Sequence, residues 1–505
     1  MGLYAKIKET VTEAVLFGLA PLATRTLGFV LTLVYANHLS KANLGRLGLL
    51  LAAEAFLTQV LDCGIVTSYF RSYYDDNSDA RRRRVTSTTA WFMLAVNLAF
   101  VAALVPFVDS AGLLIFDKPY PELVSLTLAL TFFDTLNKLP FVILKARKES
   151  KLYVTVAWVT GLFQFCFIYL FVAILGLGVA GAMLGIVMAT AMQSALYFVR
   201  LRRFIAFEFS WKELAPLLAL GLPTIFNSFA TKMLIASDRF IVDYFHGEQQ
   251  VGIYEFANRF AAVLPILVAN PFSLIWPAMR FQVMKDEDAG EYYSRVLTYL
   301  TFLLCYFGLG VAALAPDVVR GLVHRDYSAA IPMIPLIVLV NLLATTNKGI
   351  NVGLMIEKKA YWNIVVVVAT ALLNLVLNFA LIPKYGVYGA IWSTIVAYAF
   401  CNWFRYYMSN KFYPVTYEWW RIAKMFAVAL ALYGATQLVV LPSALLSFVL
   451  RFLIAVTYPL VLHLLGFYDE RERRRFGEIW GQMRVRAGRV IPALKPPAEI
   501  GEPGE

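Results

Sequence analysis

Charge is scarce in this chain of 505 residues: Asp, Glu, Lys and Arg together make up 15% of it. A soluble domain carries about 25%, so a water-solvated globule is excluded. Histidine is rarer still, and His38, His246 and His324 are scattered among loops of about a dozen residues or fewer. That argues against a membrane polymerase or ligase, which needs a large loop to present catalytic groups, and no catalytic residue is assigned. The four cysteines (Cys63, Cys166, Cys305, Cys401) lie inside apolar stretches at spacings that fit no metal site. They read as packing residues, and neither a metal nor a cofactor is implied. No P-loop is present, which argues against an intrinsic ATP motor. No small-residue cleavage site follows a short apolar run, so the first apolar segment is expected to act as its own insertion signal. The Asp75-Asp76 pair, beside Arg81–Arg84, reads as a solvated turn rather than a metal–nucleotide site.

What the chain has is apolar length. Hydrophobic residues reach 60% and the mean hydropathy is +0.66. Fourteen apolar segments can be drawn, near 15–36, 44–70, 86–108, 122–144, 152–175, 178–199, 214–240, 251–276, 296–315, 328–355, 361–382, 386–404, 423–441 and 444–467. Each approaches the ~20 residues that a helix needs to cross a hydrocarbon core of about 30 Å. The expected class is an all-α polytopic membrane protein with about 14 transmembrane helices. With both termini in the cytoplasm, the inner loops and tail hold roughly 32 Lys and Arg against roughly 5 outside, the usual positive-inside bias. The net charge of +12 therefore sits in short loops, which argues against a nucleic-acid partner. Residues 471–490 place Phe476, Ile479, Trp480, Met483, Ala487 and Val490 at helical spacing with arginines opposite. Two readings stand: a basic amphipathic helix on membrane lipids, or a solvated basic tail that enforces topology. Residues 491–505 read as disordered.

The chain also echoes itself. Gly-Val-x-Gly-Ala occurs at Gly178–Ala182 and at Gly386–Ala390, 208 residues apart, and Pro21 pairs with Pro223 at an offset of 202. Each echo lands six segments on, so the halves share orientation, as in transporters whose cargo site lies between parallel repeats. The expected organisation is a short cytoplasmic segment (1–14), an N-lobe (15–205, six spans), a C-lobe (206–410, six spans), two further spans (411–467) and a cytoplasmic tail (468–505).

Charges inside apolar segments mark candidate function, since each costs at least roughly 2.5–3.5 kcal/mol unless a partner or water offsets it. They are Arg25, Asp134, Lys138, Lys232, Asp238, Arg239, Arg259 and Lys348. A cavity lined mostly by cations suggests an anionic cargo. Asp134 and Lys138 stand i, i+4 and are expected to neutralise each other. Asp238 and Arg239 read as structural or gating, with Lys232 about two turns deeper as a cavity candidate. Lys348, Asn347 and Asn351 form a polar stripe that either meets sugar hydroxyls or joins helices. Asn374 and Asn378 are expected to hydrogen-bond between helices. Glu54, Asp62 and Asp134 are the titratable candidates for ion coupling.

Three stretches in order resemble the multidrug/oligosaccharidyl-lipid/polysaccharide exporter superfamily, most nearly its polysaccharide transporter branch, the Wzx-type oligosaccharide flippases. They are Leu27–Arg71, then Leu222–Phe245 (with Asp238-Arg239) followed by Val251–Pro265, then Leu373–Ala390. The resemblance implies two six-helix lobes, alternating access, and transfer of an undecaprenyl-pyrophosphate-linked oligosaccharide across the cell inner membrane. The product would serve O-antigen, capsule or exopolysaccharide synthesis, with a polysaccharide polymerase and glycosyltransferases of the same pathway as partners. Thr24–Phe29 and the stretch Tyr254–Pro265, which opens Tyr-x-x-Ala-x-Arg, also resemble the related lipid II flippases, in which both arginines line the central cavity. That implies substrate-binding roles for Arg25 and Arg259, beside the candidates Lys232, Lys348 and Asn351. Further arginines of that family fall here on Leu31, Thr58 and Gln59, which counts against lipid II. A guanidinium matches pyrophosphate oxygens bidentately; the competing reading pairs each arginine with a carboxylate such as Glu54 or Asp62. A drug or cation antiporter of the same superfamily is the other alternative, disfavoured by the basic lean of the candidate cavity.

Overall fold

The computed structural model describes residues 26–474 apart from 76, 77, 148, 360, 440, 471 and 473. Arg25, Pro21, nearly all of the proposed amphipathic tail and the segment 491–505 lie outside the described residues. Among the described residues the chain is all-helical, without strands. Among the described residues, the apolar segments drawn from the sequence fall largely on helix. Nine helices are long and apolar enough to cross a membrane among the described residues, or ten if the bent pair Glu248–Ala261 and Pro265–Gln282 is one span. The shortfall from fourteen has local causes. The first segment is described only from residue 26, as α1 (26–38). The tenth is cut at Asn351 into α13 (Ile334–Ile350) and the short α14 (Val352–Ile356). The helices α16 (Val387–Phe412) and α17 (Trp419–Gln437) carry polar and charged residues such as Arg405, Arg421 and Lys424.

Two segments are broken where their chemistry demands it. The second becomes α2 (Lys41–Leu61) and α3 (Ile65–Asp75), separated by Cys63 (φ 48°) and Gly64 (φ 67°) in the left-handed region. The eighth becomes α10 (Glu248–Ala261) and α11 (Asn270–Gln282), bent by 40° where Pro265 opens a π-turn over Pro265–Ala269.

Helix α2 is the hub. It is apolar around most of its circumference and packs against α6 (Pro121–Ala146), α8 (Gly178–Leu201), α9 (Trp211–His246) and α10. On one side α6, α7 (Ser150–Ile168) and α8 pack together with α4 (Asp79–Leu104). On the other side α9 packs on α15 (Tyr361–Tyr385), α15 on α16, and α16 on α13, with α12 (Ala289–Leu322) beyond. The helices α17 and α18 (Ala444–Val456) dock on α12. A buried pair pins them there: Arg451 Nη1 meets Asp317 Oδ1 at 2.9 Å, while its Nε and Nη2 donate to the carbonyls of Thr436 and Val439.

The repeated Gly-Val-x-Gly-Ala motif has the same backbone solution in both copies. Gly178 and Gly386 have φ of 58° and 56°, each at the turn into a helix. A Cβ on Gly181 would fall 2.9 Å from the Phe171 carbonyl oxygen, and one on Gly389 2.5 Å from that of Leu381. Both motifs therefore close a helical hairpin, α7–α8 and α15–α16, at a spacing only glycine allows.

Candidate functional site

The seam that α2 and α3 form with α9 and α10 carries most of the intramembrane charge, and it is fastened at both ends by glycine. At one end a Cβ on Gly45 would lie 2.0 Å from the Glu248 carbonyl oxygen, and one on Gly252 1.8 Å from that of Lys41. Backbone touches backbone there, and Arg46 Nε adds a fork to both carboxylate oxygens of Glu248 at 2.8 and 2.9 Å. Toward the arginine-rich end, Gly64 meets Gly221 equally closely: a Cβ on Gly64 would fall 2.0 Å from the Gly221 carbonyl oxygen.

Between these fastenings lie two charged groups. The first collects Glu54 from α2, Asp62 at the C-terminal cap of α2, Asp134 and Lys138 from α6, and Lys232 from α9. Glu54 is within electrostatic reach of Asp134, Lys138 and Lys232, and Asp62 of Lys138. Lys138 does not close on Asp134 as its i, i+4 spacing led us to expect. Its Nζ donates to the Thr58 carbonyl across the helix pair at 2.9 Å. Glu54 Oε1 and Asp62 Oδ1 are buried without a hydrogen-bond partner. Four of the five side chains remain part-accessible and Asp62 is buried. Such a group suits exchange of a proton or an ion, because carboxylates and ammonium groups face one another unlocked.

The second group sits against Gly48, about 9 Å along α2 from Glu54 at 1.5 Å per residue. Its centre is Glu255, which sequence reasoning passed over. One oxygen accepts from Arg239 Nε at 2.9 Å and the other from Arg259 Nε at 2.8 Å. Asp238 in turn accepts the Tyr254 hydroxyl at 2.5 Å and lies 3.3 Å from Arg239. Arg259 also lies over the Tyr35 ring of α1, 5.3 Å from its centroid. The acid that Arg259 meets is thus Glu255, one helical turn away, rather than Glu54 or Asp62. The sequence signal was present, in the i, i+4 spacing of Glu255 and Arg259.

Lys348 on α13 and Asn351 at its C-terminal cap lie elsewhere, facing α11. Lys348 Nζ meets Ser273 Oγ at 2.7 Å, the Trp276 indole donates to the Lys348 carbonyl, and Arg280 donates to Asn351 Oδ1 at 3.2 Å. Asn374 and Asn378 bond to each other and to Thr394 and Ser393, joining α15 to α16. Beside the seam an apolar cavity of about 480 Å³ opens between α1, α10, α12 and α18. Its walls include Thr26, Phe29, Phe260, Tyr306 and Phe452. Among the described residues no group of His, Cys, Asp and Glu could hold a metal.

The polysaccharide biosynthesis protein family matches residues 11–280 of the chain. The chain belongs to this family. Its fold is that of the MOP exporter superfamily. A lipid II flippase MurJ in an inward closed conformation superposes with TM-score 0.75 over 90% of this chain and 99% of that one, at 16% identity. An inward-facing multidrug resistance MATE family transporter of the MOP superfamily superposes at 0.61 over 82% and 99%, at 14% identity. A MOP superfamily transporter from Pyrococcus furiosus reaches 0.54 over 83% and 96%, also at 14%. No curated protein is a recognisable sequence relative. The family member is thus a multi-pass membrane protein whose structural neighbours are transporters and flippases.

Proposed function

We propose that this polysaccharide biosynthesis protein is a flippase of the Wzx-type branch. It carries an undecaprenyl-pyrophosphate-linked oligosaccharide across the inner membrane by alternating access of two six-span lobes, 15–205 and 206–410, with both termini cytoplasmic. One observation carries the reading: an apolar cavity meets a charged seam. Phe260 and Thr26 line the cavity, and they are the chain neighbours of Arg259 and Arg25. A polyprenyl tail fits the apolar side while pyrophosphate competes with Glu255 for Arg259 and draws on Lys232 and Lys138. Lys348 and Asn351 meet the glycan at the mouth. Competition of this kind couples cargo to the seam, because a bound dianion weakens the Glu255 pairs on both α9 and α10. Glu54, Asp62 and Asp134 supply the coupling carboxylates.

A second reading has its own support. Around Lys138 and Lys232 the acids Glu54, Asp62 and Asp134 outnumber the lysines, which suits a cationic cargo and a drug or cation antiporter. Cells carrying Arg259→Ala or Lys232→Met distinguish the two. Under the flippase reading, lipid-linked oligosaccharide accumulates on the cytoplasmic leaflet at normal protein level, and Arg259→Lys restores only part of the surface glycan. Unchanged surface glycan together with increased sensitivity to cationic drugs supports the antiporter.

A further inference from the structure

At the arginine-rich end, away from the seam, a cavity of about 310 Å³ opens among α3, α4, the end of α6 and the linker that follows α8. Its polar wall is basic. Arg82, Arg83 and Arg147 face a single acid of the lining, Asp79. Two of the guanidinium groups lie over aromatic rings, which fixes where their charge sits in the cavity. Arg147 lies 4.0 Å from the Phe204 ring centroid and Arg82 4.8 Å from that of Tyr73. Arg82 Nε is anchored on the Tyr73 carbonyl at 3.2 Å and Arg147 Nε on Glu149 at 2.9 Å. The Arg83 guanidinium is exposed and has no ion-pair partner among the described residues.

Three observations say what fits here. Ile143 lines this cavity and also a second, apolar one of about 200 Å³ bounded by α4, α6 and α8, with Ala90, Leu94 and Leu201 in its wall. A basic chamber and an apolar chamber that share a wall residue have the polarity of an amphiphile. The linker beside them is strapped to α4, where Ser87 and Thr88 hydroxyls accept the backbone N–H of Ala206 and Ser210 at 2.8 and 3.1 Å. That linker exposes Phe207 and Phe209, α9 opens on the exposed Trp211, and aromatic side chains of this kind sit at the headgroup level of a bilayer.

We propose that this paired cavity is a binding site for an anionic phospholipid, with the headgroup phosphate among Arg82, Arg83 and Arg147 and one acyl chain along Ile143 into the apolar chamber. Basic pockets between membrane helices take such headgroups. The bound lipid joins α3, α4 and α6 to the linker, and this holds whatever cargo the seam carries. The test uses purified full-length protein and native mass spectrometry, titrating phosphatidylglycerol, phosphatidylcholine and inorganic phosphate. Phosphatidylglycerol is expected to bind more tightly than phosphatidylcholine. Arg83→Gln, which breaks no pair, is expected to weaken it about fivefold, and Ala90→Phe, which fills the apolar chamber, to weaken it as well. Arg84→Gln, outside the lining, leaves it unchanged. Equal binding of the two lipids, or an Arg83→Gln affinity equal to the parent's, overturns the site. Displacement of the lipid by inorganic phosphate, with no effect of Ala90→Phe, overturns the lipid assignment in favour of a soluble phosphate.

Discussion

Gly45→Ala is the sharpest perturbation of the seam. The added Cβ falls 2.0 Å from the Glu248 carbonyl oxygen and 2.9 Å from its carbon. A carbon normally approaches a carbonyl oxygen to about 3.3 Å, so α2 and α10 must part by about 1.3 Å. Both surfaces are backbone, so no side chain can turn aside to absorb the strain. Overpacking of this kind costs about 1–3 kcal/mol, which changes the ratio of closed to open crossing by roughly 5–150-fold. Gly252→Ala attacks the same contact from the other helix and is expected to match it. Gly434→Ala on α17 is the control, because nothing lies within 4 Å of its Cβ. Spin labels at His38→Cys and Gln249→Cys, both exposed positions, in a background without the four native cysteines, report the separation by pulsed electron paramagnetic resonance. Gly45→Ala and Gly252→Ala lengthen the distance distribution while Gly434→Ala leaves it in place. If Gly45→Ala superposes on the parent, backbone contact does not hold this end shut.

Three further outcomes follow from the geometry. Glu255→Gln leaves Arg259 without its acid and Arg239 with Asp238 alone, and is expected to lower the unfolding free energy in mixed micelles by about 3–5 kcal/mol, with Arg259→Gln costing less because Arg239 then keeps Glu255. Arg451→Met strands the buried Asp317 carboxylate and is expected to loosen α17 and α18 from α12, seen as faster hydrogen exchange there; adding Asp317→Asn recovers most of the loss. At the start of the tail, the backbone N–H of Glu472, helped by Arg295, holds the Asp469 carboxyl below its ordinary value. A lowered carboxyl stabilises the fold above its unfolded value, about 3.9, and loses that contribution as pH falls through the lower folded value. Limited proteolysis at residues 469–474 is thus expected to be constant from about pH 8 to 5 and to rise only below about 4.

Helix positions were legible because apolar length is a one-dimensional signal, and among the described residues the segments drawn from it fall largely on helix. The break at Cys63-Gly64 was not legible. It depends on Gly221, some 157 residues away, offering a surface that admits only glycine. Intramembrane charge located the residues of the seam but not their pairing. Lys138 chose a backbone carbonyl, which charge spacing cannot register. Glu255 stood inside the Tyr254–Arg259 motif as a variable position, yet it holds two arginines. Arg46 and Glu248 looked like loop charges because 202 residues separate them, and only the folded chain brings them together. Lys232, Glu54, Asp62 and Asp134, picked singly, converge on one cluster, whereas Lys348 and Asn351 stand apart at the end of α13.

The most direct measurement is flipping by the purified protein in liposomes that carry undecaprenyl-pyrophosphate-linked oligosaccharide, with a membrane-impermeant lectin reading the outer leaflet. The account predicts protein-dependent exposure of the glycan that slows at least several-fold in Arg259→Ala and Lys232→Met liposomes reconstituted to equal density. Exposure no faster than in protein-free liposomes, or equal rates for the parent and both variants, would contradict it.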